Sequence, residues 1–176
     1  MICPSCGHVN LAGADVCESC EDSLLEAESA RPMATVLEEG IQADPVSVLR
    51  PVTPVTVEPT ARVRDVVRLL ADHNIGCVLV TFCDALVGIF SERDLLMRIE
   101  DRIDELADHP IRHFMTPVPE TLTADDSIAF ALNRMALCDF RHIPIEENEC
   151  PVGIVSVRDM LRYVALQFPE VLAPTS

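Results

Sequence analysis

The feature that most constrains this chain is an internal repeat with a period of 65 residues. Sliding the sequence by that period aligns residues 45–99 with residues 110–164 without a gap, and 11 of the 55 positions are identical. The identities concentrate where "GIFSERDLL" (88–96) meets "GIVSVRDML" (153–161). Because self-similarity at a fixed period marks copies of one structural unit, both copies should fold alike and bury their apolar faces together.

Each copy predicts the element order β-α-β-β-α. Prolines disfavour helix in the first stretch of each copy, and the next segment has apolar residues at the helical spacing i, i+3, i+4 and i+7, at Val63, Val66, Val67 and Leu70. Two short apolar strands and a final amphipathic helix follow. We place the N-caps of the first helices at Thr60 and Asp125. The fold class is therefore mixed α/β (α+β), with the two copies packed in one pseudo-twofold body.

The chain divides into four predicted segments. Residues 1–22 carry four closely spaced cysteines, and residues 23–44 form an acidic linker in which we expect one short helix. The first repeat occupies residues 45–109 and the second occupies residues 110–176.

The motifs of both repeats resemble the CBS domain, the module named after cystathionine β-synthase. "GIFSERD" and "GIVSVRD" are similar to its Gly-hydrophobic-x-Ser/Thr-x-x-Asp motif, and "MTP" (115–117) and "RHIPI" (141–145) also fit. In that family a pair of repeats forms a regulatory module whose two inter-repeat clefts bind AMP, ADP, ATP, S-adenosylmethionine or NAD. The resemblance implies a non-enzymatic adenosine-ligand sensor that acts on a partner.

The two Ser-x-Arg-Asp corners are the candidate ribose sites. A carboxylate that leads into a helix can accept hydrogen bonds from ribose hydroxyls, and the helix N-terminus favours an anion. The candidate ligand-binding residues at these corners are Ser91, Arg93, Asp94, Ser156, Arg158 and Asp159. An alternative stays open: serine and aspartate serve only as helix caps, and the arginines lie at the surface or in a dimer interface.

The two copies differ where a phosphate is expected. Arg141 and His142 precede the middle strand of the second copy, whereas Gly76 and Cys77 occupy the matching positions of the first. We therefore expect the cleft with Arg141 and His142 to bind a phosphorylated nucleotide better. His142 can equally be a histidine at the edge of the core. The expected adenine-lining residues are Val57, Pro117 and Val118, although packing alone also needs apolar residues there.

The N-terminal cysteines predict a structural metal site. Cys3, Cys6, Cys17 and Cys20 follow the pattern C-x2-C-x10-C-x2-C, which resembles a small zinc ribbon. Four thiolates would complete a tetrahedral zinc site and supply the folding free energy of a segment with almost no core. Iron in a rubredoxin-like site and a redox or disulfide role remain alternatives. Glu21 stands where glycine is commoner, so the second knuckle departs from the usual pattern.

Charge excludes several function classes. The formal net charge is −16, from 29 acidic and 13 basic residues, so non-specific attraction to nucleic acid or to anionic membranes is not expected. The start of the chain lacks the charge and apolar pattern of a signal peptide, and we expect a cytoplasmic protein. Within residues 1–40, eight acidic side chains accompany one arginine, which favours protein docking or dimerisation for the cysteine segment.

Two other functions compete with the sensor. A CBS pair without a ligand would be a structural adaptor, and the homodimer expected of such modules fits either function. An enzyme is the third hypothesis, with Cys77, Cys83, Cys138 or Cys150 as nucleophile. Because no Cys-His-Asp/Asn arrangement follows from their spacing and buried structural cysteines are common, we expect no catalysis.

Overall fold

The computed structural model describes residues 2–3, 5–10, 14, 16–24 and 36–167. Both repeats have the element order that their sequences predict, and the chain is a mixed α+β protein. The elements in chain order are α1 (Val36–Ala43), β1 (Thr56–Val57), α2 (Val63–His73), β2 (Cys77–Phe82), β3 (Ala85–Ser91), α3 (Glu92–Arg98), α4 (Ile103–Leu106), β4 (Thr116–Pro117), α5 (Ile128–Cys138), β5 (His142–Glu147), β6 (Cys150–Ser156) and α6 (Val157–Gln167).

The strands form a four-stranded and a two-stranded sheet. The larger sheet has the order β1-β2-β3-β4, with β1 parallel to β2 and the other neighbours antiparallel. The smaller sheet is the hairpin of β5 and β6. Both hairpin turns use two residues with positive φ, Cys83-Asp84 and Asn148-Glu149, because this backbone twist matches that of the flanking strands.

The residues group into two bodies. Body 1 contains the described residues within 1–51, 122–143 and 155–176, and body 2 contains residues 52–121 and 144–154. This grouping does not follow chain order, because the β5–β6 hairpin contributes residues 144–154 to body 2 while its outer ends belong to body 1. The segment boundaries at residues 44 and 109 stay a prediction.

Aliphatic side chains form the core of body 2. Helix α2 buries Val63, Val66 and Leu70 of the four positions that helical spacing predicts, while Val67 is partly buried against the same core. Phe90 of β3 is fully buried among them. Body 1 repeats this arrangement: Ile128, Ala131 and Met135 of α5 are buried at the equivalent positions. The periodicity in the sequence therefore identified the packed face of both helices correctly.

Both predicted N-caps are wrong. Helix α2 begins after Arg62, and the N–H groups of Val63 and Arg64 donate to the carbonyl oxygens of His109 and Ala107, at 3.0 and 2.9 Å. These backbone acceptors satisfy helix donors that Thr60 was expected to satisfy. Helix α5 begins after Ser127, whose Oγ accepts a hydrogen bond from Phe130 N–H at 3.1 Å. Asp125 is therefore not the cap either.

The linker is only partly described. Residues 25–35, most of the predicted linker, lie outside the described residues, and so do residues 168–176. The predicted short helix corresponds to α1, which contacts α5 in body 1. Leu24, at the start of the linker, is buried against the four cysteines rather than exposed. Among the described residues, no helix has the length and apolar character that crossing a membrane requires.

Candidate functional site

The first Ser-x-x-Asp corner is a complete capping box at the start of α3. Ser91 N–H and Oγ donate to Asp94 Oδ2 at 3.0 and 2.7 Å, and Asp94 N–H donates back to Ser91 Oγ at 3.4 Å. The helix-cap role that was left open in the sequence therefore operates here. A cap uses Oδ2 of the carboxylate and leaves Oδ1 for other partners.

The second corner has the same local geometry at the start of α6. Ser156 N–H and Oγ donate to Asp159 Oδ2 at 2.8 and 2.6 Å. Asp159 Oδ1 lies 3.4 Å from Arg162 NH1, and the Arg162 side chain is 73% exposed. Exposed ion pairs of this kind contribute little to stability, so Arg162 can leave Oδ1 at little cost.

At the first corner, Asp94 Oδ1 has two partners. Thr116 Oγ1 donates to it and Arg98 NH2 lies beside it, both at 3.3 Å. Arg98 also donates to the carbonyl oxygens of Phe114 and Met115, at 2.7 and 3.0 Å, which fixes the guanidinium in place. Among the described residues, Asp94 Oδ1 therefore has more hydrogen-bond and ion-pair partners than Asp159 Oδ1.

The local charge also differs between the corners. The first turn of α3 carries Glu92 beside Asp94, whereas Val157 occupies the position of Glu92 in α6. Helix α6 is also longer, with 11 residues against seven in α3. The surroundings of the second corner are therefore less repulsive to an anion.

Backbone contacts place Arg141 beside the second corner. Its carbonyl oxygen accepts a hydrogen bond from Val157 N–H at 3.0 Å, and the equivalent bond in the first repeat joins Glu92 N–H to Gly76, also at 3.0 Å. Arg141 and Arg158 are exposed, and neither side chain has a hydrogen-bond or ion-pair partner within the described part of the chain. Arg93 is exposed and His142 half-buried, and both residues have an interaction partner.

The expected adenine-lining residues do not come together. Val57 lies on β1 and Pro117 on β4, which are opposite edges of the four-stranded sheet. Strands lie about 4.8 Å apart, so three strand spacings separate these two positions. Val57 packs against the core of body 2, whereas Val118 is 86% exposed with a φ of 45°. Val57 therefore lies apart from Pro117 and Val118 in the sheet, and the adenine-lining role of these residues stays a prediction.

The four N-terminal cysteines converge on one point. Their sulfur atoms all lie within 4.8 Å of one another, and the Cys3–Cys20 and Cys6–Cys17 pairs are 3.6 Å apart. A tetrahedron with zinc–sulfur bonds of about 2.3 Å has edges of about 3.8 Å. All four are free thiols rather than disulfides. The donor set and its spacing therefore fit a single thiophilic metal ion.

The two knuckles are built alike. Gly7 N–H donates to Cys3 carbonyl oxygen at 3.0 Å, and Glu21 N–H donates to that of Cys17 at 2.9 Å. Gly7 has φ 74° and Glu21 has φ 59°, so Glu21 adopts the left-handed conformation that glycine takes more easily. The second knuckle keeps its geometry at a conformational cost of about 1–2 kcal/mol.

The knuckles also adjust the acidity of the thiols. Burial raises the pKa of Cys6 and of Cys20. Burial acts in the same direction on Cys17, but the backbone N–H groups of Cys20 and Ser19 and the Asn10 side chain outweigh it and lower the pKa of Cys17 to about 6. Cys17 is therefore ready as a thiolate at neutral pH, which is the form that binds metal.

Asn10 is a positioning residue that the sequence analysis missed. It is buried, and its Nδ2 lies 3.5 Å from Cys17 Sγ and donates to His8 carbonyl oxygen at 3.1 Å, while its Oδ1 accepts from Glu18 N–H at 2.9 Å. One side chain thus joins both halves of the segment. The available signal was an asparagine between two cysteine pairs, which does not distinguish a buried clamp from an exposed loop residue.

The remaining cysteines are separate from this cluster. Cys77 is buried, and burial together with the nearby charges of Glu92 and Asp94 raises its pKa to about 12. A thiol that stays protonated is a poor nucleophile. The other three, which are Cys83, Cys138 and Cys150, are exposed.

The repeats match one known family. The family model of the CBS domain matches residues 46–101 and again residues 111–166. Among curated proteins, an uncharacterized 17.7 kDa protein of Acidianus ambivalens is 32% identical over 108 residues, or 60% of this chain and 64% of that protein. The mitochondrial CBS domain-containing protein CBSX3 of Arabidopsis thaliana is 30% identical over 115 residues, 62% of this chain and 56% of that protein. The matches thus span less than two thirds of either relative.

A solved structure of similar fold contains a nucleotide. It is a CBS domain protein from Pyrobaculum aerophilum complexed with AMP, which is 28% identical to this chain with a TM-score of 0.62. The similarity covers 72% of this chain and 98% of that protein.

Proposed function

The chain belongs to the CBS domain family, and on that premise we propose that it is a regulatory protein that binds an adenosine-containing ligand and signals to a partner. CBS domain proteins are generally regulatory and non-catalytic modules. The observation that carries the proposal is the pair of Ser–Asp corners, in which backbone and hydroxyl donors hold a carboxylate at the start of a helix. The AMP bound by the Pyrobaculum relative supports an adenine nucleotide.

We assign the preferred site to the second corner. Asp159 Oδ1 would accept hydrogen bonds from the ribose hydroxyls, while Ser156 keeps Oδ2 fixed. Arg141, Arg158 and His142 would contact phosphate, supported by the N-terminus of α6. Ser91, Arg93 and Asp94 form the weaker site, because Arg98 and Thr116 already contact Asp94 Oδ1.

Binding of a nucleotide panel tests this function. AMP, ADP, ATP, S-adenosylmethionine and NAD are added to the purified protein in separate thermal unfolding scans, with adenosine as the ligand that lacks phosphate. A ligand at 100 times its Kd stabilises the folded state by about 2.7 kcal/mol, which raises the Tm by several degrees. If phosphate contributes, AMP should give a larger shift than adenosine at equal concentration.

The panel also separates the sensor from its competitor. If none of these compounds shifts the Tm at millimolar concentration, the sensor proposal is wrong and the chain is a ligand-free adaptor. In that case the exposed leucines of α3 and α6 would support a role in assembly, because apolar side chains at a surface are favourably buried in an interface.

We further propose that the chain forms a homodimer through these helices. Leu96 and Leu161 occupy equivalent positions in the two repeats and are 56% and 62% exposed, and Met97 beside Leu96 is 76% exposed. Burying such side chains on association is favourable by about 25 cal/mol per Å² of apolar surface. Light scattering of the purified protein should give twice the mass of 19.4 kDa.

The Leu96→Glu/Leu161→Glu double variant should shift the dimer to monomer, because a charge would have to be buried in the interface. Leu137→Glu on α5, which is also an exposed leucine, is the matched control and should leave the dimer intact. A monomeric wild type, or a double variant that stays dimeric, would contradict this interface.

For the four-cysteine site we propose structural zinc. Four sulfur ligands leave no open coordination position, so the metal would supply folding free energy rather than catalysis. Cys3, Cys6, Cys17 and Cys20 would hold it. Eight free cysteines suit a reducing compartment, which supports a cytoplasmic location.

A further inference from the structure

The four-cysteine segment contacts the start of α5 in two ways. Ser127 Oγ donates a hydrogen bond to the carbonyl oxygen of Ser5, inside the first knuckle, at 2.8 Å. Phe130, three residues further on, packs against the buried cluster of Cys3, Cys17, Cys20 and Leu24. Positions three residues apart lie on the same helix face, so polar and apolar contacts with the segment coincide there.

The hydroxyl oxygen of Ser127 joins the four-cysteine segment to helix α5. While its hydroxyl donates to Ser5, the same Oγ accepts the N–H of Phe130 at 3.1 Å and caps α5. A hydroxyl has one donor and two acceptor positions, so both bonds form together. Ser5 Oγ in turn donates to the Asp22 carboxylate beyond the second cysteine pair, which connects both knuckles to the helix.

Hydrogen bonds continue from α5 to α6 within body 1. Ile128 N–H donates to the Asp44 carbonyl oxygen at 3.0 Å, and the Asp44 carboxylate accepts from Tyr163 Oη on α6 at 2.7 Å. Helix α6 begins at the Ser156–Asp159 corner. Contacts of the described residues thus connect the cysteine cluster to the helix that carries the second corner.

We propose that metal occupancy of the four-cysteine segment stabilises α5 and α6, which makes the segment a metal-dependent control element of the second repeat. The inference rests on the metal site proposed above. Without a cation, nothing joins the four sulfur atoms that lie within 4.8 Å of one another, and the segment loses its main source of folding free energy. Ser127 then loses its acceptor and Phe130 loses its apolar cover.

Hydrogen exchange of the full-length protein tests this coupling. Exchange is followed by mass spectrometry with zinc bound and after chelation under reducing conditions, and zinc content is measured on the same samples. The amides of α5 should exchange at least about tenfold faster after chelation, because local opening becomes easier. Helix α2 is the internal control: it is the equivalent helix of the first repeat, belongs to body 2, and should not change.

Two variants of Ser127 isolate the contact. Ser127→Asp keeps a favourable N-cap acceptor but has no hydrogen to donate to Ser5, so zinc should slow α5 exchange less than in the wild type while zinc still binds; the Phe130 contact remains. Ser127→Asn can both accept and donate and should retain the zinc dependence.

The outcomes separate the two proposals. Zinc uptake without any change in α5 exchange overturns the coupling and leaves the metal site standing. No zinc uptake overturns both. Equal slowing of α2 and α5 by zinc also overturns the coupling, because a global change in stability would then explain the effect. The wild-type comparison decides these outcomes without requiring that any variant fold.

Discussion

Replacing Asp159 with alanine should lower the affinity for AMP at least about tenfold, while the same change at Asp94 should preserve most of the affinity. A hydrogen bond to a charged group is worth about 1.5–3 kcal/mol, and 1.4 kcal/mol corresponds to tenfold in Kd. Within the described part of the chain, the partner of Asp159 Oδ1 is the exposed Arg162, so it is the carboxylate oxygen more readily released to a ribose. Isothermal titration of both variants with AMP measures the difference.

Asp94→Ala is the matched control because it removes the same helix-cap interaction. Each variant loses the bonds from a serine N–H and hydroxyl, and loss of a cap costs about 0.5–2 kcal/mol of stability. Thermal unfolding should therefore show destabilisation of both variants, with the larger loss for Asp94→Ala because it also removes the Thr116 and Arg98 contacts, whereas AMP affinity should fall mainly in Asp159→Ala. If both variants bind AMP as the wild type does, the aspartates are only caps. Equal losses would refute the asymmetry.

Cys17→Ser should reduce the zinc content from one ion per chain to none and unfold the N-terminal segment. Serine does not supply a thiolate, and structural zinc in small domains contributes apparent binding free energies of about 10–16 kcal/mol at neutral pH. The change therefore removes the largest single stabilising contribution proposed for residues 1–22. Elemental analysis measures the content, and the absorption of the Co²⁺-substituted protein reports tetrahedral thiolate coordination.

Cys83→Ser is the control for this loss. Cys83 is an exposed thiol in the first hairpin turn, and its replacement should leave one zinc per chain. Glu21→Gly should also keep the metal, because glycine adopts the left-handed conformation of this knuckle without strain. Iron in the purified wild type would replace the zinc assignment by the rubredoxin-like alternative. A wild-type protein without metal would favour a redox role.

Local patterns in the sequence predicted the elements and the candidate residues. The 65-residue period predicted both repeats, and the spacing of apolar residues predicted which faces of α2 and α5 are buried. Cysteine spacing gave a cluster whose sulfur atoms do converge. These predictions succeed because helical periodicity, hairpin turns and paired knuckles are properties of a few neighbouring residues.

Contacts between residues that are distant in the sequence could not be predicted from such local patterns. The N-cap of α5 is Ser127 rather than Asp125, and Ser127 also binds Ser5, 122 residues earlier in the chain. The first turn of α2 uses backbone carbonyls near residue 108 in place of a side-chain cap. At α2 tertiary acceptors take the place of a side-chain cap, and at α5 a tertiary bond accompanies the local serine cap.

The sequence by itself determined that the chain repeats a β-α-β-β-α unit, carries two Ser-x-Arg-Asp corners and has four cysteines at metal-binding spacing near its start. Only the tertiary structure decided that Arg98 and Thr116 contact one aspartate while the other faces an exposed arginine. It also decided that Asn10 clamps the cysteine segment and that the segment packs on α5. The physical reason is that a hydrogen bond or an apolar contact depends on distance in space, and the fold brings together residues that sequence spacing leaves far apart.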